Sequence, residues 1–177
     1  MLFSDNFEQD QLGGKPAGWS LATGSFSIVS DGSKALYTDS GNWAIAAAGS
    51  TTWTNYKVTA SVKAASTTGH SRVIARYRDT NNFYACGLDH GGYLYLGKYT
   101  SGTWTDLSVL PYSFNPSQWY SVSFSVYGSS LTCTVSDPTN ALAPLTAKVN
   151  NSAYASGAAG WVGEAPGYVD NFVVTPL

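Results

Sequence analysis

Short stretches in which apolar and polar residues alternate, separated by turn residues, run the whole length of this chain. The run 56–62 alternates Tyr, Val, Ala and Val with Lys, Thr and Ser, and the run 119–126 repeats the pattern. Such alternation is typical of half-buried β-strands, and turn residues recurring roughly every 8 to 12 positions are typical of sandwiches and barrels. No segment has the period of a helix. We therefore predict an all-β fold of roughly a dozen strands, forming a two-sheet antiparallel jelly-roll sandwich.

Length and composition limit the classes of partner. The 177 residues are enough for a substantial core, and we expect a single domain spanning 1–177. Only 11% of the residues are charged and the formal net charge is −2, which is not the basic excess of a nucleic-acid-binding domain. No apolar run approaches the roughly 20 residues that span a bilayer. A surface rich in hydroxyl, amide and aromatic groups favours a hydroxylated partner, and we expect a polysaccharide or oligosaccharide.

The two cysteines leave two interpretations open. Cys86 and Cys133 both fall at apolar positions of predicted strands, so they are either buried thiols or a disulfide pair. Two cysteines and two scattered histidines do not form the spacing of a structural zinc site. Residues 1–3 do not have the pattern of a signal peptide, and we expect the domain to come from a longer exported chain.

All three arginines lie in one predicted strand, at even positions. Because side chains of a strand alternate between faces, Arg72, Arg76 and Arg78 are expected on one face. Concentrating planar, bidentate cations on one strip is typical of a recognition surface. The alternative is ordinary surface charge that pairs with acids such as Asp79 and Asp89.

Turn lengths predict how this strand pairs with the next. A four-residue turn at 79–82 places Arg76 opposite Ala85 and Arg72 opposite Asp89, where an ion pair would orient Arg72. Arg78, beside the turn, is then expected to have a structural role. Arg76 becomes the arginine expected to contact a ligand.

The following turn is predicted from burial. Leu94 and Leu96 need the core, and a shift of one residue would turn both of them outward. A three-residue loop at 90–92 satisfies this requirement. It places Tyr95 opposite Gly87, on the same face as the arginines.

These registers predict a groove on the outer face of the sheet. One wall of the groove is cationic and consists of Arg72 and Arg76. The floor consists of the small residues Ala85, Gly87 and Gly97. The other wall is aromatic and consists of Tyr93, Tyr95 and Tyr99. Trp43 or Trp104 would extend the surface. Tyrosine rings stack on sugar faces, and arginine donates several hydrogen bonds to hydroxyl or carboxylate oxygens. The alternative is that tyrosine is simply a good strand former.

A series of motifs resembles concanavalin A-like, laminin G-like modules. They occur in the order Phe3–Glu8, Gly18-Trp19, Gly24–Phe26, Asp31–Ser33, Trp53–Tyr56, Ala75–Tyr84, Trp119-Tyr120 and Val169–Val174. The resemblance covers nearly the whole chain and is to carbohydrate-binding modules, including the levan-binding kind, that are attached to bacterial polysaccharide lyases and glycoside hydrolases. It implies a secreted, non-catalytic, sugar-binding module that targets an attached enzyme in a larger multidomain protein.

The resemblance also implies a structural calcium ion where the two chain ends meet. The matching acids are Asp5, Glu8, Asp31 and Asp170. Hard oxygen donors from distant segments are what Ca²⁺ requires. The alternative is that these acids are solvated turn residues or strand-end caps.

A small jelly-roll polysaccharide lyase is the main alternative function. A lyase needs a base and a group that neutralises a uronate carboxylate, and Arg72, Arg76, His90 and Tyr95 could take those roles. No lyase motif is present, and the only glutamates, Glu8 and Glu164, do not form the paired acids of a glycosidase. We therefore expect no catalysis. An adhesive or structural domain is the third class.

Overall fold

The computed structural model describes residues 1–66 and 68–177 as fifteen strands. They are β1 (Phe3–Asp5), β2 (Trp19–Thr23), β3 (Ser27–Asp31), β4 (Ser33–Thr38), β5 (Ala44–Ala48), β6 (Tyr56–Ala64), β7 (His70–Asp79), β8 (Asn82–Asp89), β9 (Tyr93–Thr100), β10 (Thr103–Pro111), β11 (Tyr120–Tyr127), β12 (Ser130–Ser136), β13 (Leu145–Asn150), β14 (Ala158–Glu164) and β15 (Gly167–Pro176). The described part of the chain contains no helix that could cross a membrane.

The strands form two antiparallel sheets packed face to face, which confirms the predicted jelly-roll sandwich. The front sheet has the order β10-β9-β8-β7-β14-β5-β2. The back sheet has the order β13-β12-β11-β6-β15-β4-β3, with β1 also paired to β15. The alternating burial of β6 and β11 agrees with the sequence pattern, because the apolar side chains of both strands point into the core between the sheets.

A second apolar cluster covers part of the outer face of the front sheet. Its buried members are Ile45, Ile74, Phe83, Ala85 and Val162. Strand β5 is consequently buried on both faces and has no alternation, which is why the sequence pattern did not predict it. One part of the outer face of the front sheet is thus apolar. Another part forms the wall of a cavity, which is described below.

The two cysteines form a disulfide that links the sheets. Cys86 on β8 and Cys133 on β12 are fully buried, and their Cα atoms are 6.2 Å apart. The structure thus decides between the two alternatives that the sequence left open.

Strand β7 contains an irregularity that changes its predicted pairing. Asp79 pairs with Asn82, as a four-residue turn requires, but Ala75 pairs with Tyr84. Two extra residues of β7 are therefore accommodated between these pairs, and Arg76 adopts a positive φ of 51°. Every earlier residue of β7 is displaced by two positions relative to the prediction.

Candidate functional site

A cavity of about 660 Å³ opens on the outer face of the front sheet. Its lining combines aromatic, acidic and basic side chains from five strands and their connections: Trp43, Thr68, His70, Arg72, Asp89, His90, Gly91, Tyr95, Trp104, Asp106 and Glu164. His70 and Arg72 lie on β7. Asp89 is the last residue of β8, and Tyr95 lies on β9. The hairpin between β8 and β9 has the predicted three-residue loop, since Asp89 pairs with Tyr93.

Arg72 is buried among aromatic rings. Its side chain is held by an ion pair between Nη2 and Asp89 Oδ2, and the residue is only 3% exposed. The guanidinium carbon lies 4.6 Å from the ring centroid of Trp104 and 5.4 Å from those of Trp43 and Tyr95. Such contacts are cation–π interactions, strengthened where water is excluded. The predicted partnership of Arg72 with Asp89 is confirmed, although its direct cross-strand neighbour is Gly87.

Small residues make room for these large groups. A Cβ atom at position 87 would lie 2.7 Å from the Cα of Arg72, and one at position 97 would overlap the ring of Trp104. Glycine is therefore required where the two strands and the tryptophan approach each other most closely. The predicted floor of small residues exists, and Trp104 lies over Gly97.

Part of the hydrogen-bonding capacity of Arg72 is unused. Within the described part of the chain, its Nε and Nη1 atoms are buried and have no hydrogen-bond partner. Burial lowers the pKa of Arg72 to about 9, while the charges of Asp106, Tyr95 and Glu164 act to raise it. Because about 9 is still above neutral pH, the guanidinium remains charged, and its unpaired N–H donors are buried in a residue that lines the cavity.

His70 provides the opposite kind of hydrogen-bonding atom. It is 2% exposed, its Nδ1 lies 3.2 Å from Glu164 Oε2, and its Nε2 has no partner among the described residues. Burial lowers the pKa of His70 well below its ordinary value, and the charges of Arg72 and His90 lower it further. The ring is therefore neutral at pH 7. With its proton on Nδ1 facing the carboxylate, Nε2 is a buried acceptor without a partner, in a residue that lines the cavity.

Most of the predicted ligand-binding residues come together here. Arg72, Asp89, Tyr95, Trp43 and Trp104 all line the cavity. Tyr95 lies opposite Gly87, as predicted. Tyr93 stands beside the cavity, 37% exposed, with its ring perpendicular to that of Tyr95 at 6.1 Å.

Three ionisable lining residues were missed by the sequence reasoning. They are His70, Asp106 and Glu164. His70 precedes the arginines and follows the turn residues 68–69, so the alternation of the strand was not extended to it, although it has an even-numbered position like Arg72. The pattern carries no comparable signal for Glu164, because its strand β14 is paired with β7 only in the tertiary structure.

The overall architecture resembles that of known sugar-binding structures. No family model matches the chain, and no curated protein matches it. Its structure is similar to that of the carbohydrate-binding module CBM66 from Bacillus subtilis, with a TM-score of 0.76 and 14% identity over 89% of this chain and 94% of that chain. It is also similar to basic winged bean lectin, with a TM-score of 0.67 and 10% identity over 98% of both chains.

A third similar structure is the GH43 protein BlXynB from Bacillus licheniformis, with a TM-score of 0.73 and 13% identity. The match covers 98% of this chain but 39% of BlXynB. The chain has a concanavalin A-like fold. A concanavalin A-like sandwich does not by itself define a function, which has to be inferred from the side chains that line the cavity.

Arg76 is not part of the cavity of this concanavalin A-like domain, and its prediction as a ligand contact is wrong. The irregularity in β7 turns its side chain toward the back sheet, where it is 1% exposed. Its guanidinium donates to the carbonyl oxygens of Thr54, Gly128 and Tyr154 at 2.7–3.2 Å. Arg76 thus joins three connections at one end of the sandwich.

Three of the four residues considered for a lyase, Arg72, His90 and Tyr95, line the cavity, whereas Arg76 does not. His90 is exposed, stacks on Tyr95 with ring centroids 6.2 Å apart, and places Nδ1 2.5 Å from Asp89 Oδ1. Its backbone N–H also donates to Asp89 Oδ1 at 2.7 Å. His90 therefore supports the carboxylate that holds Arg72.

Three of the four acids predicted to bind calcium lie near one another. Burial raises the pKa of the Asp170 carboxyl, and the negative charges of Glu8 and Asp5 raise it further. Hydrogen bonds from the Ser33 hydroxyl and the Asn171 amide act in the opposite direction. The three carboxylates belong to the region where β1 pairs with β15, close to both chain ends.

Asp31 is held by partners of its own. It forms an ion pair with Lys63 and accepts a hydrogen bond from Trp119 Nε1 at 3.0 Å. Among the residues that the structure describes, no three His, Cys, Asp or Glu side chains are arranged as a metal-binding group. Oxygen donors of the right kind are present at Asp5, Glu8, Asp31 and Asp170, of which Asp31 and Asp170 line one small cavity, and calcium stays a prediction for these four.

Proposed function

We propose that this protein is a non-catalytic module that binds a neutral polysaccharide in the cavity around Arg72. The observation that carries the proposal is a pair of buried groups with unused hydrogen-bonding atoms, the donors of Arg72 and the acceptor of His70, inside a cavity with aromatic walls. A buried polar atom without a hydrogen-bond partner raises the free energy of the folded protein. A ligand that supplies the missing partner removes this penalty, which makes its binding more favourable.

A pair of sugar hydroxyls matches this arrangement. Each hydroxyl both donates and accepts, so one can accept from the Arg72 guanidinium while another donates to His70 Nε2. A uronate carboxylate cannot donate to Nε2, and it would add negative charge beside Asp89, Asp106 and Glu164. Since Asp89 already neutralises Arg72, the cavity favours hydroxyls over carboxylates.

The aromatic walls suit the apolar face of a sugar ring. Trp43, Tyr95 and Trp104 are each partly exposed at the cavity. The Trp104 ring is fixed by a hydrogen bond from its Nε1 to Asp106 Oδ1 at 2.6 Å. Rings held in place lose little entropy on binding, which favours stacking on a ligand.

The expectation of a secreted module attached to an enzyme belongs to the same proposal. The similarity to CBM66 and the partial coverage of BlXynB support it, since a domain of this architecture occurs within a longer GH43 protein. An inter-sheet disulfide also supports an oxidising compartment outside the cytosol.

Affinity electrophoresis tests the proposal. Gels would contain levan, arabinan or xylan as neutral glycans, and polygalacturonate or alginate as uronate glycans. We expect at least one neutral glycan to retard the protein, and Arg72→Lys to weaken the retardation by roughly tenfold or more, since an ammonium cannot replace the planar donor set. Arg78→Lys, which changes an exposed arginine of the same strand, is the matched control and should bind normally.

Two outcomes contradict the proposal: no neutral glycan retards the protein, or Arg72→Lys binds as well as the wild type. Trp104→Ala removes a cavity wall without removing the buried charge, so it provides a second test if Arg72→Lys unfolds. Incubation of the protein with each glycan should release neither unsaturated products nor new reducing ends. Release of either would favour an enzyme.

A further inference from the structure

A second cavity adjoins the first on the outer face of the front sheet. Its volume is about 460 Å³, within the range typical of small-ligand sites. It is lined by Thr23, Asn42, Trp43, Ile45, Thr80, Asn81 and Tyr99. Trp43 belongs to the lining of both cavities, so a single indole ring separates them.

The aromatic surface is continuous from one cavity to the other. Tyr99 on β9 and Trp104 on β10 are direct cross-strand partners, and Tyr99 lines the second cavity while Trp104 lines the first. Trp43 contacts both rings, with centroid distances of 5.0 Å to Tyr99 and 5.4 Å to Trp104. A chain-like ligand that stacks on one of these rings therefore meets the next without leaving the surface.

The second cavity combines apolar and polar side chains, none of them charged at neutral pH. No Asp, Glu, Lys, Arg or His is among its described lining residues. The side-chain amides of Asn42 and Asn81 are exposed, and among the described residues they make no hydrogen bond. Amides and an aromatic ring without charge can recognise a neutral hydroxylated ring and offer nothing to an ionic ligand.

We infer that the second cavity is a further sugar subsite, so that the bound ligand is a stretch of at least two sugar units lying across Trp43. The first unit occupies the cavity around Arg72. The next unit packs on Tyr99 and forms hydrogen bonds with the side-chain amides of Asn42 and Asn81. This inference rests on the proposed function, because it needs the first cavity to bind a sugar.

Isothermal titration with sugars of increasing length tests the inference. The probes are the one-, two- and three-unit members of the arabinan, xylan and levan series. For the series that binds, we expect affinity to rise roughly tenfold from one unit to two, because new hydrogen bonds and stacking contacts form. The variant Asn42→Ala/Asn81→Ala should lose most of that gain and bind the single unit as the wild type does. Asn150→Ala, an exposed asparagine on the back sheet, is the matched control.

The outcomes separate this inference from the proposed function. Equal wild-type affinity for one, two and three units would overturn the second subsite and leave the first intact. An undiminished gain in the double variant, with an unchanged melting temperature, would also overturn it. If no member of any series binds, and no polysaccharide retards the protein, the proposed function fails and the second subsite fails with it.

Discussion

Removal of the disulfide between Cys86 and Cys133 has an effect that can be worked out from the fold. The bond joins β8 of the front sheet to β12 of the back sheet across 47 residues of sequence. Closing a loop of this length restricts the unfolded chain, which raises the free energy of unfolding by about 4 kcal/mol at 25 °C in the chain-entropy description. For a chain of 177 residues, 1 kcal/mol corresponds to roughly 2–4 °C in the melting temperature. Reduction should therefore lower the melting temperature by about 8–16 °C.

The measurement is calorimetry of the wild type and of Cys86→Ala/Cys133→Ala, each with and without dithiothreitol. The wild type should lose stability in the reductant, and the double variant should not respond to it. The comparison of the two wild-type melts isolates the cross-link, whereas the double variant also loses the packing of two buried sulfur atoms.

Thiol titration in denaturant gives an independent result. The untreated protein should show no free thiol, and the reduced protein should show two, since the chain has two cysteines. Two free thiols before reduction, or a wild-type melting temperature that reductant moves by less than about 2 °C, would refute the reasoning.

Three further predictions concern buried charged or titratable groups. Arg76→Lys should lower the free energy of unfolding by about 2 kcal/mol in urea titrations, because the single ammonium of lysine cannot replace the fork of donors that bonds to the carbonyl groups of Thr54, Gly128 and Tyr154. Glycan binding by the folded variant should stay normal, and a loss of binding would restore Arg76 as a ligand contact. The folded-state pKa of His70 lies well below its unfolded value of about 6.5, so below pH 6.5 the unfolded chain binds a proton at this residue that the folded protein does not. The free energy of unfolding should therefore fall by about 1 kcal/mol from pH 6.5 to 5.5. An equal decrease in His70→Gln, measured by the same urea titrations, would contradict this. If calcium binds near the chain ends, a chelator should lower the melting temperature of the wild type but not of Asp170→Asn, and a wild-type melt that the chelator leaves unmoved would count against the site.

The sequence by itself determined which residues form most strands and which side chains face the core. The alternation in 56–62 and 119–126 is a local property, because successive side chains of any strand point to opposite faces. Burial of Leu94 and Leu96 was enough to predict the three-residue loop at 90–92, and with it the position of Tyr95 opposite Gly87. The partnership of Arg72 with Asp89 was predicted from the length of the turn at 79–82, and it survives because a displacement by two positions keeps Arg72 on the same face.

Only the tertiary structure decided what depends on contacts between distant segments. The irregularity in β7, which removes Arg76 from the cavity, lies beside β14, and its pairing with β14 is irregular as well. His70 acquires its orientation from Glu164, 94 positions later, and Trp43 reaches Tyr99 and Trp104 only because β5 and β9 belong to the same sheet. Alternation specifies a face of a strand, but it contains no information on which other strands that face will meet. The composition of the cavity was therefore set by sheet order and close packing, and only part of it could be predicted from the sequence.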